Sequence, residues 1–202
     1  MTAEPRGRGR RPGGPDTRGE ILAAARRSFA EKGFGGTTIR AVAGEAGVDP
    51  ALVHHYFGAK DDLFLAALEF PADPRALLPT VFEAGIDGAG ERLLRLFVSV
   101  WDDPHARLAM VAVFRTGLVQ EAEDSLLRQG ILRLVQRPLR AALPDAEADR
   151  RVQLVISQMV GLVVTRYVLV LEPLASMPAD DLVAWVGPTL QRYLNGPLPD
   201  GP

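Results

Sequence analysis

Residues 37–57, Thr37-Thr38-Ile39-Arg40-Ala41-Val42-Ala43-Gly44-Glu45-Ala46-Gly47-Val48-Asp49-Pro50-Ala51-Leu52-Val53-His54-His55-Tyr56-Phe57, spell out two short helices joined by a tight turn. Ile39, Val42, Ala43 and Ala46 recur at the spacing of one apolar helix stripe. Gly47 ends that helix, because glycine enters the left-handed conformation without a Cβ clash. Val48 tucks under the turn. Asp49 then serves as an N-cap and Pro50 as a first helical residue, so a second helix opens there. Within it Val53 and one of Tyr56 and Phe57 face back onto the first helix, which leaves Ala51, Leu52, His54 and His55 pointing outward. Two helices crossed over such a turn place the second one in a DNA major groove.

The flanks extend the pattern. Thr17 with Glu20 three residues on reads as a capping box, opening a helix through Ile21, Ala24, Ala25 and Phe29 that stops at Gly33. Phe34 stands where a Schellman cap takes its apolar residue. Beyond Phe57, Gly58-Ala59-Lys60-Asp61-Asp62-Leu63-Phe64 begins a fourth helix. A helix, a two-helix reader and then Tyr-Phe-x-x-Lys-x-x-Leu resemble the tetracycline-repressor (TetR) family of one-component regulators. The residues that carry the resemblance are Thr38-Ile39-Arg40, Ala46-Gly47-Val48, His55-Tyr56-Phe57, Lys60 and Leu63, within a match from Thr17 to Leu68. The remainder agrees with the family's variable ligand domain only in being all-helical. The resemblance implies a homodimer paired through its last long helices, and by family tendency a repressor. A transcriptional activator of the same fold and a helical protein-interaction domain are the alternatives.

Composition fits such a regulator. A chain of 202 residues suffices for a DNA-binding head and one sizeable core. With 47% apolar and 24% charged residues it is an ordinary globular chain. The absence of cysteine excludes disulfides and thiolate metal sites and suits a reducing cytoplasm, the expected location. Arg10-Arg11 runs into Pro12-Gly13-Gly14 with no apolar segment, so no export signal is read there. Leu154–Leu171 is apolar but broken by Gln158 and Thr165-Arg166, and reads as a buried helix rather than a membrane span. The net charge of −2 hides a segregation: residues 1–60 carry ten Lys/Arg against six Asp/Glu, and the rest carry thirteen against nineteen. Positive charge gathered at one end is the footprint of a nucleic-acid binder.

These readings give an all-α chain in three parts: a disordered basic arm (1–15), a helix-turn-helix domain (16–62), and a ligand-binding and dimerisation domain (63–202). In the arm, Arg6, Arg8, Arg10 and Arg11 either lie along phosphates or merely solubilise the chain. Within the head, Thr37 reads as the helix cap and Thr38 as a phosphate donor at a helix N-terminus. Both join Asp49, Pro50, Ala51, Leu52, His54, His55, Tyr56 and Lys60 as the expected contacts to a double-stranded operator. Tyr56 and Lys60 are assigned to phosphates, and the outward residues of the second helix to base edges. No metal is expected, because His54 and His55 point roughly 100° apart on a helix and His105 is the only other histidine. No cofactor and no enzyme activity are expected either: a Gly-x-Ser-x-Gly elbow, a phosphate loop and a dinucleotide fingerprint are all missing.

In the C-terminal part, breaks at Pro71, Asp102-Asp103-Pro104 and Glu172-Pro173 separate helices, and Pro138 and Pro188 mark bends. The segment Ala146–Leu171 is apolar on every face and must be covered on all sides. Ser157, Gly161 and Thr165 form a small-residue stripe on it. With Val164, Val168, Trp185, Val186, Thr189 and Tyr193 they make the expected dimer face, a two-helix surface pairing with its copy. Phe97, Trp101, Met110, Phe114 and Gln158 are the candidate lining for an unknown small-molecule effector, although Phe97, Trp101, Met110 and Phe114 fit a plain core better. Arg166, set inside the apolar helix, requires either a carboxylate from across the dimer or a ligand anion.

Overall fold

The computed structural model describes residues 16–70, 72–119, 125–144 and 146–197, and every regular element among them is helical. The basic arm lies outside the described residues. Helix α1 (Thr17–Gly36) begins at Asp16, whose carboxylate accepts from the Gly19 amide at 3.0 Å. Thr17 is thus the first helical residue and not the cap. Asp16 stands just before Thr17, and its carboxylate, more favourable at the positive end of the helix dipole, takes the place. The helix breaks at Gly33 (φ 65°), as its sequence anticipated.

Helices α2 (Ile39–Ala46) and α3 (Pro50–Phe57) follow, joined through Gly47 in the left-handed conformation (φ 68°, ψ 30°). The Val48 amide reaches back to the Ala43 carbonyl at 2.9 Å, the long bond of a Schellman turn. Helix α4 (Lys60–Ala67) closes the head. Ile21, Phe29, Val42, Val53, Phe57, Leu63, Phe64 and Leu68 pack as one core, so the head runs past the expected boundary at residue 62. Arg26 secures the end of α4 by donating to the Ala67 carbonyl at 3.0 Å and pairing with Glu69.

The second layer comprises α5 (Pro74–Thr80), α6 (Ala89–Trp101), α7 (Pro104–Val119), α8 (Leu126–Gly130), α9 (Arg137–Ala142), α10 (Ala148–Leu162) and α11 (Ala179–Asn195). Helices α8 and α9 are joined without interruption by a π-helical stretch, Ile131–Gln136. Pro138 explains it, since proline lacks an amide donor and crowds the carbonyl four residues back; widening the turn relieves both. A second π stretch, Val163–Val168, continues α10. There the Thr165 hydroxyl donates to the Gly161 carbonyl at 2.7 Å, occupying the acceptor that a regular α-turn would use.

Helices α6 and α11 cross at very close range. A Cβ on Gly90 would stand 2.5 Å from the Gln191 amide nitrogen, and one on Gly187 would stand 2.9 Å from Cγ of Glu91. Gln191 stitches the crossing by accepting from the Gly90 amide and donating to the Ile86 carbonyl. Buried Arg151 on α10 donates to the Tyr193 and Gly196 carbonyls, each at 3.0 Å, and so satisfies the open C-terminal end of α11.

Candidate nucleic-acid interface and ligand cavity

Helix α3 is anchored on one side and open on the other. Val53 and Phe57 are buried, which settles the choice between Tyr56 and Phe57: Phe57 turns inward, while Tyr56 stays 43% exposed. Ala51, His54 and His55 are exposed as expected, and Leu52 is half-buried. The helix starts where Asp49 accepts from the Ala51 amide at 2.7 Å, with Pro50 in its first turn. Asp49 therefore acts as a cap, and its negative charge keeps it from being a phosphate ligand.

His54 is exposed, yet its Nδ1 lies 2.9 Å from the Gly58 carbonyl oxygen. That oxygen accepts only, so Nδ1 is the donor in this contact. Tyr56 packs its ring against His55 and Phe57 at 5.6 and 6.3 Å. At the same end, the Arg18 guanidinium sits 5.1 Å from the Phe57 ring centre. This cation beside α3 escaped the sequence reading, because only the fold brings the first turn of α1 against the end of the recognition helix.

The cap of α2 falls to Thr38 and not to Thr37. Thr38 caps α2, accepting from the Ala41 amide at 3.1 Å, and is exposed. Thr37 is fully buried, its hydroxyl within 2.9 Å of the Ser28 carbonyl and 2.8 Å of the Gly33 carbonyl. It is withdrawn as a DNA contact, since it bonds the end of α1 to the start of α2. One register step separates a cap from a buried linker, and sequence spacing does not resolve that step.

Lys60 does not project freely. Its ammonium stands 4.4 Å from the Phe34 ring centre, and the Arg133 guanidinium lies 3.6 Å from the same ring. Partial burial and then the nearby Arg133 charge lower the Lys60 pKa. Phe34 stacks on Phe29 at 5.9 Å and meets Phe64 edge-on at 5.3 Å, and its amide donates to Gln129 Oε1 at 2.6 Å. Gln129 and Arg133 belong to α8 and the π stretch after it, so this is the joint between head and body.

The opposite side of that same segment borders a cavity of about 150 Å³. Leu127, Gly130 and Ile131 contribute to its wall, together with Leu68 from the head. Phe97, Trp101, Met110 and Phe114 line it as well, while remaining core residues in their own right. Gln158 does not, being one step round α10 from Met159, which does. Behind Trp101 the ring of Tyr167 stacks at 5.3 Å. Its hydroxyl donates to Asp102 at 2.9 Å, and burial followed by this bond raises the Tyr167 pKa to about 12. Arg166 finds its partners within the chain, donating to the Leu174 and Met177 carbonyls at 2.7 and 2.8 Å with Asp102 3.6 Å away. Its charge thus has partners within the chain, while its buried Nε has no hydrogen-bond partner among the described residues.

The expected dimer residues form an open face. Ser157, Gly161 and Trp185 are exposed, Trp185 at 77%, and a Cβ on Gly161 would meet nothing within 4 Å. Val164, Thr165, Val168, Val186, Thr189 and Tyr193 are half-buried beside them. Leu154 adds a further exposed apolar side chain on α10. Among the described residues no cluster of three or more metal-ligating side chains occurs, and no helix is long and apolar enough to cross a membrane.

Comparison with known proteins agrees with this division. Residues 21–67 match the bacterial regulatory proteins of the tetR family, and residues 87–194 match the tetracyclin repressor-like C-terminal domain. The chain is 35% identical over 112 residues to the HTH-type transcriptional regulator BetI of Brucella abortus, covering 55% of this chain and 49% of that protein. It is 39% identical over 71 residues to the HTH-type transcriptional repressor AcnR of Corynebacterium efficiens, covering 35% and 37%. The chain thus spans about half the length, or less, of these curated relatives. A solved TetR-family regulator from Streptomyces coelicolor shares 38% identity, covers 92% of this chain and 98% of its own, and superposes with a TM-score of 0.54.

Proposed function

Because the chain belongs to the TetR family of bacterial regulators, we propose that it is a cytoplasmic transcriptional repressor that binds a palindromic operator as a homodimer and leaves it when a small molecule binds. The observation that carries the reading is helix α3, pinned by Val53 and Phe57 and offering Ala51, His54, His55 and Tyr56 to solvent. Two such helices in one dimer enter successive major grooves about one helical turn apart. Thr38 and Tyr56 contact phosphates, and Leu52, His54 and His55 face the bases. The open face around Gly161 and Trp185 pairs with its copy.

Release works through the segment 126–136. One of its sides borders the cavity and the other holds Phe34 through Gln129 and Arg133. A ligand that shifts this segment therefore moves the end of α1, and with it the spacing of the two heads. Operator and ligand then oppose each other by linkage. Selection of bound sequences from random duplex DNA tests the reading: an inverted repeat with half-sites one turn apart supports it. Recovery of no enriched motif, from protein of two-chain mass, overturns it.

A further inference from the structure

We propose that the cavity takes a neutral, apolar molecule with the bulk of one small substituted aromatic ring, and rejects cations and anions of the same size. This rests on the cavity being the effector site. Every side chain on its wall is apolar, and Gly130 contributes only helical backbone. A charged group placed there would lose its hydration and find no partner, at a cost of several kcal/mol.

The charges behind Trp101 lie off the cavity wall. Asp102 accepts from the Tyr167 hydroxyl at 2.9 Å and faces Arg166 at 3.6 Å, while Arg166 donates to two carbonyls through Nη1. An aromatic wall will hold a cation on a free π face. Here one face of Trp101 is covered by Tyr167, whose ring already has the Arg166 guanidinium 5.4 Å from its centre. A cation on the remaining faces would still lose its hydration without a carboxylate on the wall. Trp101 meets Phe114 edge-to-face at 5.3 Å and Phe97 at 5.8 Å, so a further ring continues the herringbone. The volume sets the size, since an apolar cavity of about 150 Å³ stays dry and admits benzene.

The test uses three probes with one ring and different ends, ethylbenzene, benzylamine at neutral pH and benzoate, each added to the full-length protein without DNA. Ethylbenzene should raise the thermal midpoint with the logarithm of its concentration, reaching about 5–10 °C at a hundredfold excess over its Kd. Benzylamine and benzoate should leave it unchanged. Val160→Phe, which fills the cavity, should abolish the ethylbenzene shift. Leu96→Ala, which enlarges it, should move the preference towards butylbenzene and keeps the test informative if the filled variant does not fold. Equal or larger shifts with either charged probe, or an ethylbenzene shift indifferent to the cavity variants, overturn the proposal. Operator binding is then measured separately. Ethylbenzene that occupies the cavity without releasing DNA leaves the ligand class standing and sinks the effector reading alone.

Discussion

Gly90 and Gly161 look alike in sequence, yet the fold assigns one to a contact within the chain and leaves the other facing open space. A Cβ on Gly90 would lie 2.5 Å from the Gln191 amide nitrogen and 2.6 Å from the Gly187 carbonyl oxygen. Both are backbone atoms, so no rotamer change relieves the clash, and α6 and α11 must part by roughly 1 Å to restore ordinary contact. Overpacking of this kind costs about 1–3 kcal/mol, from which the better helix propensity of alanine returns at most about 1. Gly90→Ala should therefore lose about 1–2 kcal/mol and lower the thermal midpoint by roughly 2–8 °C for a chain of this size. At Gly161 an added Cβ meets nothing within 4 Å, so Gly161→Ala costs the monomer fold nothing. Gly161→Arg should likewise fold, but it places a charged side chain in the middle of the paired face. Light scattering at micromolar concentration should report two chains for the parent and one for Gly161→Arg, with poor operator affinity. A two-chain mass for Gly161→Arg with undiminished operator binding would refute the placement of the dimer face. Parent-like stability of Gly90→Ala would refute the geometry of the crossing.

Tyr56→Phe should weaken binding to all sequences by a similar factor, whereas His54→Ala should relax preference at one or two positions per half-site by about 1–3 kcal/mol, as competition against single-base operator variants would show. Deleting residues 1–12 should flatten the salt dependence by roughly 0.9 in log–log slope for each lost phosphate contact of Arg6, Arg8, Arg10 and Arg11, and an unchanged slope would make the arm a solubilising tail. Gln129→Leu leaves the Phe34 amide without its acceptor, so it should cost about 1–3 kcal/mol in urea denaturation and uncouple cavity occupancy from DNA release. Asp73 caps α5 and bonds Arg75, which holds its carboxyl below the usual range. That contribution is present above the unfolded pKa and is lost as pH falls through the folded one, so Asp73→Asn should diminish acid sensitivity below about pH 4.

Legibility in the sequence tracked locality. The turn at Gly47, the cap at Asp49 and the break at Gly33 depend on a few neighbouring residues, and all three stand where the sequence put them. Phe97 and Trp101 lie four apart on α6 and Phe114 stands on α7, and no local spacing could say that a cavity lies between them. Adjacent candidates defeated the same logic. Asp16 and Thr17, or Thr37 and Thr38, differ by one residue; in the second pair Thr37 is drawn inward onto Ser28 and Thr38 is left to cap. The small-residue stripe on α10 meets nothing within the chain at Gly161, whereas a close crossing within the chain falls at Gly90 and Gly187, 97 positions apart and invisible to any local pattern. Arg166 was legible as a buried charge in need of partners. Its actual partners, two carbonyls in the turn before α11 and a carboxylate at the end of α6, exist only once the chain has folded.

The same contrast explains why a segment that drew little notice in the sequence occupies the junction. Residues 126–136 show no motif, and Pro138 suggested only a bend. Yet the proline widens the helix just before it, and a widened turn is a place where a helix can shift register at low cost. Leu127, Gly130 and Ile131 face the cavity while Gln129 and Arg133 hold Phe34, so apolar and polar residues of one short stretch serve opposite neighbours. Lys60, drawn onto the same ring, adds a second cation beside Arg133. Leu134 of the same segment is buried in the core of the head, so the segment grips the head by packing as well as by the Gln129 bond and the two cations, and a shift of it has to be felt at α1.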